Sequence, residues 1–167
     1  MKHLKFVFIG IIIFLLMIVS CTNTPVVSKA DKETEDKFMY IAKLYIEEEK
    51  KLLDSVKFVV QQDIITELPD ECYKYLHDTN GAIAKEFYNR TYPKHLEEFR
   101  NSIASLSNHT VIAFSNVYLA CSQSRIYRLS GKVEDLEKVY DYKRQISEET
   151  DKADEIVLHI EEFLNTQ

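Results

Sequence analysis

The scarcity of turn-forming residues limits the folds open to this chain more than any other feature of its sequence. Its 167 residues include three glycines and three prolines, and Gly10 and Pro25 lie within the first 30 residues. A β-sandwich or β-barrel joins many short strands through turns that are commonly built on glycine and proline. The shortage of both residues therefore favours long helices with few connections. The length suits one domain.

Three stretches carry apolar side chains at helical spacing and predict long helices over residues 31–68, 93–129 and 132–165. The helix stripes that we expect in the core are Phe38, Ile41, Tyr45, Leu52, Val56 and Val59, with Asp63 at the end; Leu96, Phe99, Ile103, Leu106, Thr110, Ala113, Val117, Ala120, Ser124 and Tyr127; and Leu136, Val139, Ile146, Ala153, Ile156, Ile160 and Phe163.

The boundaries of these helices carry recognisable signals. Pro69 is expected to end the first helix, Pro93 to lie near the first turn of the second, and Gly131 to cap it. Residues 70–92 predict a shorter helix, kinked near Asn80-Gly81. Short connections make neighbouring helices antiparallel. The predicted fold class is therefore all-α, an elongated up-down antiparallel helical bundle, similar to a coiled coil, with three long helices and one shorter, kinked helix.

We expect the first 21 residues to be an amino-terminal targeting segment. Lys2 and Lys5 precede the uncharged run FVFIGIIIFLLMIV, which ends at Ile18-Val19-Ser20-Cys21. This segment resembles the signal segment and lipobox of bacterial lipoprotein precursors. The resemblance implies that residues 1–20 are removed and that Cys21 receives a diacylglyceryl group and an N-acyl chain such as palmitate. Residues 21–30 would then be a lipidated tether and residues 31–167 the helical domain.

That processing would place the domain outside the cytoplasm, anchored by lipid to a bacterial cell membrane. With Cys21 acylated, Cys72 and Cys121 remain in an oxidising space and form a candidate disulfide. The alternative is two buried, unpaired thiols. The net charge of −6 makes a nucleic-acid partner a poor expectation, because phosphate contacts need a basic surface.

Signatures of catalysis and of metal binding are missing from the sequence. It has no Gly-rich phosphate loop, no GxSxG and no HExxH, and it lacks the Glu-x-x-His pairs of di-iron bundles. The histidines are expected at surface or capping positions, and carboxylate runs such as Glu47–Glu49 on solvated faces. We therefore expect no enzyme, no metal and no cofactor other than the covalent lipid.

The ten tyrosines offer the best candidate for a binding surface. Tyr73, Tyr75, Tyr88 and Tyr92 crowd the connector before the second long helix, and tyrosine is favoured at recognition surfaces. The alternative is that these rings are semi-buried bundle residues.

The sequence thus predicts a non-enzymatic module that binds a protein at the cell envelope, in envelope assembly, immunity or exclusion. The rival prediction is a carrier of a small apolar ligand held between helices, in a cavity lined by the Ser- and Ala-rich middle of the helix predicted over residues 93–129. Pairing of the long stripes between chains would give a homo-oligomer.

Overall fold

The structure, a computed structural model, describes residues 29–65 and 82–166. The chain divides into two units, residues 1–33 and 34–167, and all contacts given below lie within the second. The described residues are all-α, with four α-helices, one 3-10 turn and no strand. The helices are α1, Lys29–Val60; α2, Ile83–Asn89; α3, Glu97–Ser130; and α4, Val133–Thr166, and the 3-10 turn is Lys94–Leu96. The predicted kink near Asn80 lies outside the described residues.

The predicted core stripes are confirmed in α1 and α3. All six apolar residues of the first stripe are buried, and so are nine of the ten in the second. The exception is Tyr127, which is partly exposed because it lies in the last turn of α3. In the third stripe Val139, Ile146, Ala153 and Ile160 are buried, and the other members are partly covered.

The predicted end of the first helix is wrong, because α1 stops at Val60 and does not continue to Leu68. The amide of Gln62 bonds to the carbonyl of Val59 at 3.1 Å, a three-residue turn. A longer helix would carry Asp63 into the core at the end of the stripe. The turn leaves Asp63 exposed and buries Ile65 completely, against the same cluster as Val59.

The connection between α3 and α4 follows its sequence signal. Gly131 has φ +65°, and its amide bonds to the carbonyl of Tyr127 at 2.8 Å. Only glycine adopts this left-handed conformation without strain. Ser130 Oγ donates to Asp135 Oδ2 at 2.6 Å and Gln123 Nε2 to Asp135 Oδ1 at 2.9 Å. Both bonds fix the turn, and the bond from Ser130, followed by the positive charge of Lys138, lowers the pKa of Asp135.

Long-range contacts give the directions of the helices. The rings of Phe99 and Phe163 stack at 4.3 Å, and at the opposite end of the pair Gln123 meets Asp135, so α3 and α4 run antiparallel. Contacts of α1 with α3 run the other way. Tyr45 Oη lies 2.7 Å from Ser107 Oγ, and Glu35 approaches His95. Because the residue numbers on both helices rise together from one contact to the other, α1 runs parallel to α3. Lys50 to Glu161 and Lys57 to Asp154 are the corresponding antiparallel contacts of α1 with α4.

Two apolar clusters fill the helical bundle. The first contains the aromatic residues Phe38, Tyr45, Phe87 and Phe99, and the second contains Leu52, Val56, Val59, Ile65, Phe114 and Ile146. Each cluster combines residues from α1, α3 and α4, so the core is shared by these helices and stabilises their packing through apolar burial.

The expectation that Glu47–Glu49 form a solvated face is wrong for Glu49, which is fully buried. The physical reason is its spacing, because Tyr45, Glu49, Leu52 and Val56 fall on one face of α1. Glu47 is exposed and Glu48 is partly exposed.

Within residues 29–65 and 82–166, no helix combines the length and apolar character required to cross a bilayer.

Candidate functional site

An aromatic cluster forms where α2 packs against α1. Phe38 stacks on Phe87 with 5.7 Å between ring centroids, and Tyr45 tilts against the same ring at 5.0 Å. Phe38, Tyr45 and Phe87 are buried. Because the short α2 cannot be stable as an isolated helix, this burial is what holds it in place.

Two of the predicted tyrosines extend this cluster to the surface. Tyr88 packs edge-on against Phe87 at 5.3 Å, and 43% of its surface stays exposed. Tyr92 tilts against Phe38 at 5.6 Å and is partly buried. The structure thus brings Tyr88 and Tyr92 together, while Tyr73 and Tyr75 lie outside the described residues.

Arg100 joins the two tyrosines from α3. Its guanidinium carbon lies 4.8 Å from the ring centroid of Tyr92 and 5.9 Å from that of Tyr88. Both distances are within the range of a cation–π interaction. Its Nε is buried and has no hydrogen-bond partner within the described part of the chain. We call Tyr88, Tyr92 and Arg100 the Tyr–Arg patch.

The Tyr–Arg patch has the composition of a protein-binding hot spot. Tyrosine and arginine are over-represented at such positions because they combine large contact area with directional polar groups. The rings also hold the Arg100 side chain, so little of its conformational freedom remains to be lost on binding. The sequence prediction missed Arg100. An arginine eight residues after Tyr92 was the available signal, but the pairing depends on how α2 folds back onto the bundle.

A second surface feature is a cleft between the start of α3 and the end of α4. It encloses about 420 Å³, and its apolar wall consists of Phe99, Ile160 and Phe163. The polar rim includes His95 and His159, which are exposed, as their sequence positions led us to expect. We call this feature the α3–α4 cleft.

The Ser- and Ala-rich middle of α3, which was expected to line a ligand cavity, packs into the core. Ala113, Ala120 and Ser124 are fully buried, and the hydroxyl of Ser124 donates to the carbonyl of Ala120 at 2.8 Å. Small side chains here allow α3 and α4 to approach closely. The α3–α4 cleft lies instead at the beginning of α3.

His109 departs from the expectation of a surface histidine. Its Nδ1 lies 2.6 Å from Glu149 Oε2, and its side chain is 22% exposed. Lys152 Nζ donates to Glu149 Oε1 at 2.6 Å. The hydrogen bond from His109, and next the one from Lys152, hold the pKa of Glu149 below its usual value. Both hydrogen bonds therefore stabilise the charged form of the Glu149 carboxyl group.

Cys121 is a buried, free thiol in the second apolar cluster. Cys72 and Cys21 lie outside the described residues, so the disulfide and the lipidation stay predictions.

Among the described side chains, no group of three or more His, Cys, Asp or Glu residues is arranged to hold a metal ion. Comparisons with protein-family models, curated proteins and solved structures found no match to this chain.

Proposed function

We propose that this protein is a lipid-anchored, extracytoplasmic lipoprotein that acts as a non-enzymatic protein-binding module at the bacterial cell envelope. The observation that carries the binding function is the Tyr–Arg patch, where Tyr88, Tyr92 and Arg100 form one surface on a buried aromatic base. Envelope assembly, immunity and exclusion are the roles compatible with such a module.

The proposed anchor rests on the sequence of residues 1–21. The charged start, the uncharged run and Cys21 follow the order of a lipoprotein signal segment. Acylation would leave the helical domain at the membrane surface on a tether that includes Pro25. One acyl chain binds a membrane only marginally, whereas a diacylglyceryl group with an N-acyl chain holds the protein stably.

We also propose the arrangement of the whole domain as an up-down antiparallel bundle of three long helices and one shorter helical segment. Two pairs of contacts support it. In the first pair, Tyr45 meets Ser107 and Glu35 approaches His95, the parallel direction. In the second, Lys50 meets Glu161 and Lys57 meets Asp154, the antiparallel direction. A parallel α1 and α3 require the chain to return between them, and α2 lies on that return path.

Recovery of a partner from membranes tests the binding function. The full-length chain is expressed with a carboxy-terminal tag in bacterial cells, cross-linked in the membrane and purified, and bound proteins are quantified by mass spectrometry. Arg100→Ala should reduce the main partner by about tenfold or more, the effect of removing a hot-spot residue. Arg128→Ala on the same helix is the control, because Arg128 is exposed and distant from the Tyr–Arg patch. Equal recovery with both variants would contradict the proposal.

Mass spectrometry of the amino-terminal peptide tests the anchor. The expected result is a chain that starts at Cys21 and carries a diacylglyceryl group and an N-acyl chain. Cys21→Ser should leave the precursor uncleaved. A mature chain that retains residues 1–20 beside an unmodified Cys21 would contradict lipidation.

The second candidate function, carriage of a small apolar ligand, is favoured by the α3–α4 cleft. Its volume of about 420 Å³ is within the range of small-molecule sites. A fluorescent apolar probe should bind the full-length chain. Phe163→Trp should abolish this binding, because the larger side chain fills the cleft. Leu158→Trp on the exposed side of α4 is the matched control. Equal binding to both variants would exclude the cleft as the site.

A further inference from the structure

The outer face of α3 carries no charge over most of its length. From Asn101 to Ser124 the helix contains no Asp, Glu, Lys or Arg. Between residues 104 and 126, the side opposite the core presents five large apolar residues to solvent, which are 37–59% exposed: Val111, Ile112, Tyr118, Leu119 and Ile126. Leu129 in the last turn of α3 is 90% exposed. A helix in a water-soluble bundle ordinarily places charged side chains on that side. We call residues 104–126 on this side the outer α3 face.

The pattern of the outer α3 face is the same in both directions from Ser115. Apolar residues lie three and four positions away on each side, which are Ile112 and Val111 before it and Tyr118 and Leu119 after it. Small polar residues lie seven positions from Ser115 on each side, and apolar residues lie eleven positions from it on each side. These are Asn108 with Ser122, and Ala104 with Ile126.

We propose that a second copy of this chain covers the outer α3 face, in a two-fold, antiparallel pairing of α3 with α3 centred on Ser115. A two-fold interface uses the same patch on both copies, so its pattern must read alike in both directions. This inference concerns a surface separate from the Tyr–Arg patch and does not depend on binding of a partner there, whereas its test in membranes rests on the proposed lipid anchor.

Charge at the ends of the face supports the antiparallel direction. Glu97 lies 18 residues, or five helical turns, before Ser115 on the same side of α3, and the exposed Arg125 lies ten residues after it. Antiparallel pairing therefore brings the Glu97 end of one copy to the Arg125 end of the other. A parallel pairing would place like charges together, and their repulsion disfavours that direction.

The centre of the face can be buried at little polar cost. Ser115 Oγ donates to the carbonyl of Val111 in its own helix at 2.8 Å. Its hydroxyl is therefore satisfied before any partner arrives, and an already bonded polar group loses little on desolvation. The small side chain also permits close approach of the two helices at the axis.

The area of the face sets the expected affinity. Its 22-residue rise is about 33 Å and its width about 10 Å, which gives roughly 330 Å² per copy. A standard stable interface buries about 800 Å² per partner. We therefore expect a weak dimer that forms when the chain is concentrated, as it would be on a membrane surface.

Cysteine cross-linking in membranes of cells that express the full-length chain tests this pairing. Ser115→Cys places two thiols at the proposed axis, and Ser147→Cys on the exposed side of α4 is the matched control. The unsubstituted chain gives the background from the native cysteines. After mild oxidation, the expected result is a covalent dimer of Ser115→Cys well above both references.

A second substitution separates specific pairing from random collision. Leu119→Lys in the Ser115→Cys chain should reduce the covalent dimer by about tenfold, because it places a charge in the apolar interface. Leu158→Lys on α4 also replaces an exposed leucine and should leave the dimer unchanged. Far-UV circular dichroism of each variant establishes that the helices persist.

Three outcomes would overturn the proposal. One is no more dimer from Ser115→Cys than from Ser147→Cys. Another is an equal effect of Leu119→Lys and Leu158→Lys. The third is a Ser115→Cys cross-link to a different envelope protein in place of a second copy, which would assign the face to that protein.

Discussion

Replacing Ser107 by alanine tests the parallel register of α1 and α3. The hydroxyls of Tyr45 and Ser107 lie 2.7 Å apart, and the two residues are 2% and 7% exposed. Ser107→Ala removes the hydrogen bond between these two hydroxyls from a buried site. The loss of a hydrogen bond by a buried polar group costs about 1–3 kcal/mol.

Tyr45→Phe removes the same bond from the other side at a lower expected cost. A serine in a helix can turn its hydroxyl to the carbonyl four residues earlier, as Ser124 does toward Ala120. We therefore expect Tyr45→Phe to cost about 0.5–1.5 kcal/mol. The double variant should cost less than the sum of the two single variants, because no donor is then left behind.

Thermal unfolding of the full-length chain in a mild detergent, followed by far-UV circular dichroism, measures these costs. Each kcal/mol corresponds to about 2–4 °C in Tm for a chain of this size. Ser55→Ala is the matched control, since its hydroxyl bonds to the carbonyl of Lys51 within its own helix, and we expect a change under about 0.5 kcal/mol. Equal Tm values for the Ser107 and Ser55 variants, or additive single variants, would refute the register.

Three further substitutions probe other parts of the fold. Gly131→Ala should cost about 1–2 kcal/mol, because φ is +65° there, and an unchanged Tm would contradict this expectation. Glu149→Gln should destabilise the protein by about 1–2 kcal/mol at neutral pH, through weaker bonds to His109. Because the pKa of Glu149 is lowered by folding, its stabilisation is present above the ordinary carboxyl pKa of about 4.3 and is lost as pH falls through the lower folded value. The difference between the two proteins should therefore close in acid, and a gap independent of pH would refute the cause. Lys57→Ala should cost under about 1 kcal/mol, since both side chains of its pair with Asp154 are about a third or more exposed, and a loss above about 2 kcal/mol would show that the pair is worth more.

The sequence pattern predicted the interior of each long helix more accurately than the ends. The spacing of Phe38, Ile103 and Val117 reports the buried side directly, because a helix repeats every 3.6 residues. The end of α1 was missed because burial of Ile65 in the core outweighs the local preference that would continue the helix to Pro69. Such a competition depends on tertiary contacts that no single window of sequence contains.

Some residues of the candidate site and of the core could be predicted from the sequence, and others could not. Tyr88 and Tyr92 were predicted from their clustering and type alone. Arg100 and the buried position of Glu49 were missed for different reasons. The partners of Arg100 are set by the fold of α2, whereas the helical spacing of Glu49 after Tyr45 already placed it among core positions and was outweighed by its charge.

Site-specific photo-cross-linking at position 88 tests most directly whether the Tyr–Arg patch binds a protein. A photoreactive phenylalanine analogue replaces Tyr88 in the full-length chain, and irradiation is performed on intact cells. The matched control carries the analogue at Tyr140, which is also exposed and also lies near a cation, Lys143 Nζ, at 5.8 Å. The proposed function predicts one dominant adduct with an envelope protein at position 88 that is lost with Arg100→Ala and is not formed at position 140. The same adducts at both positions, or none at position 88, would contradict it.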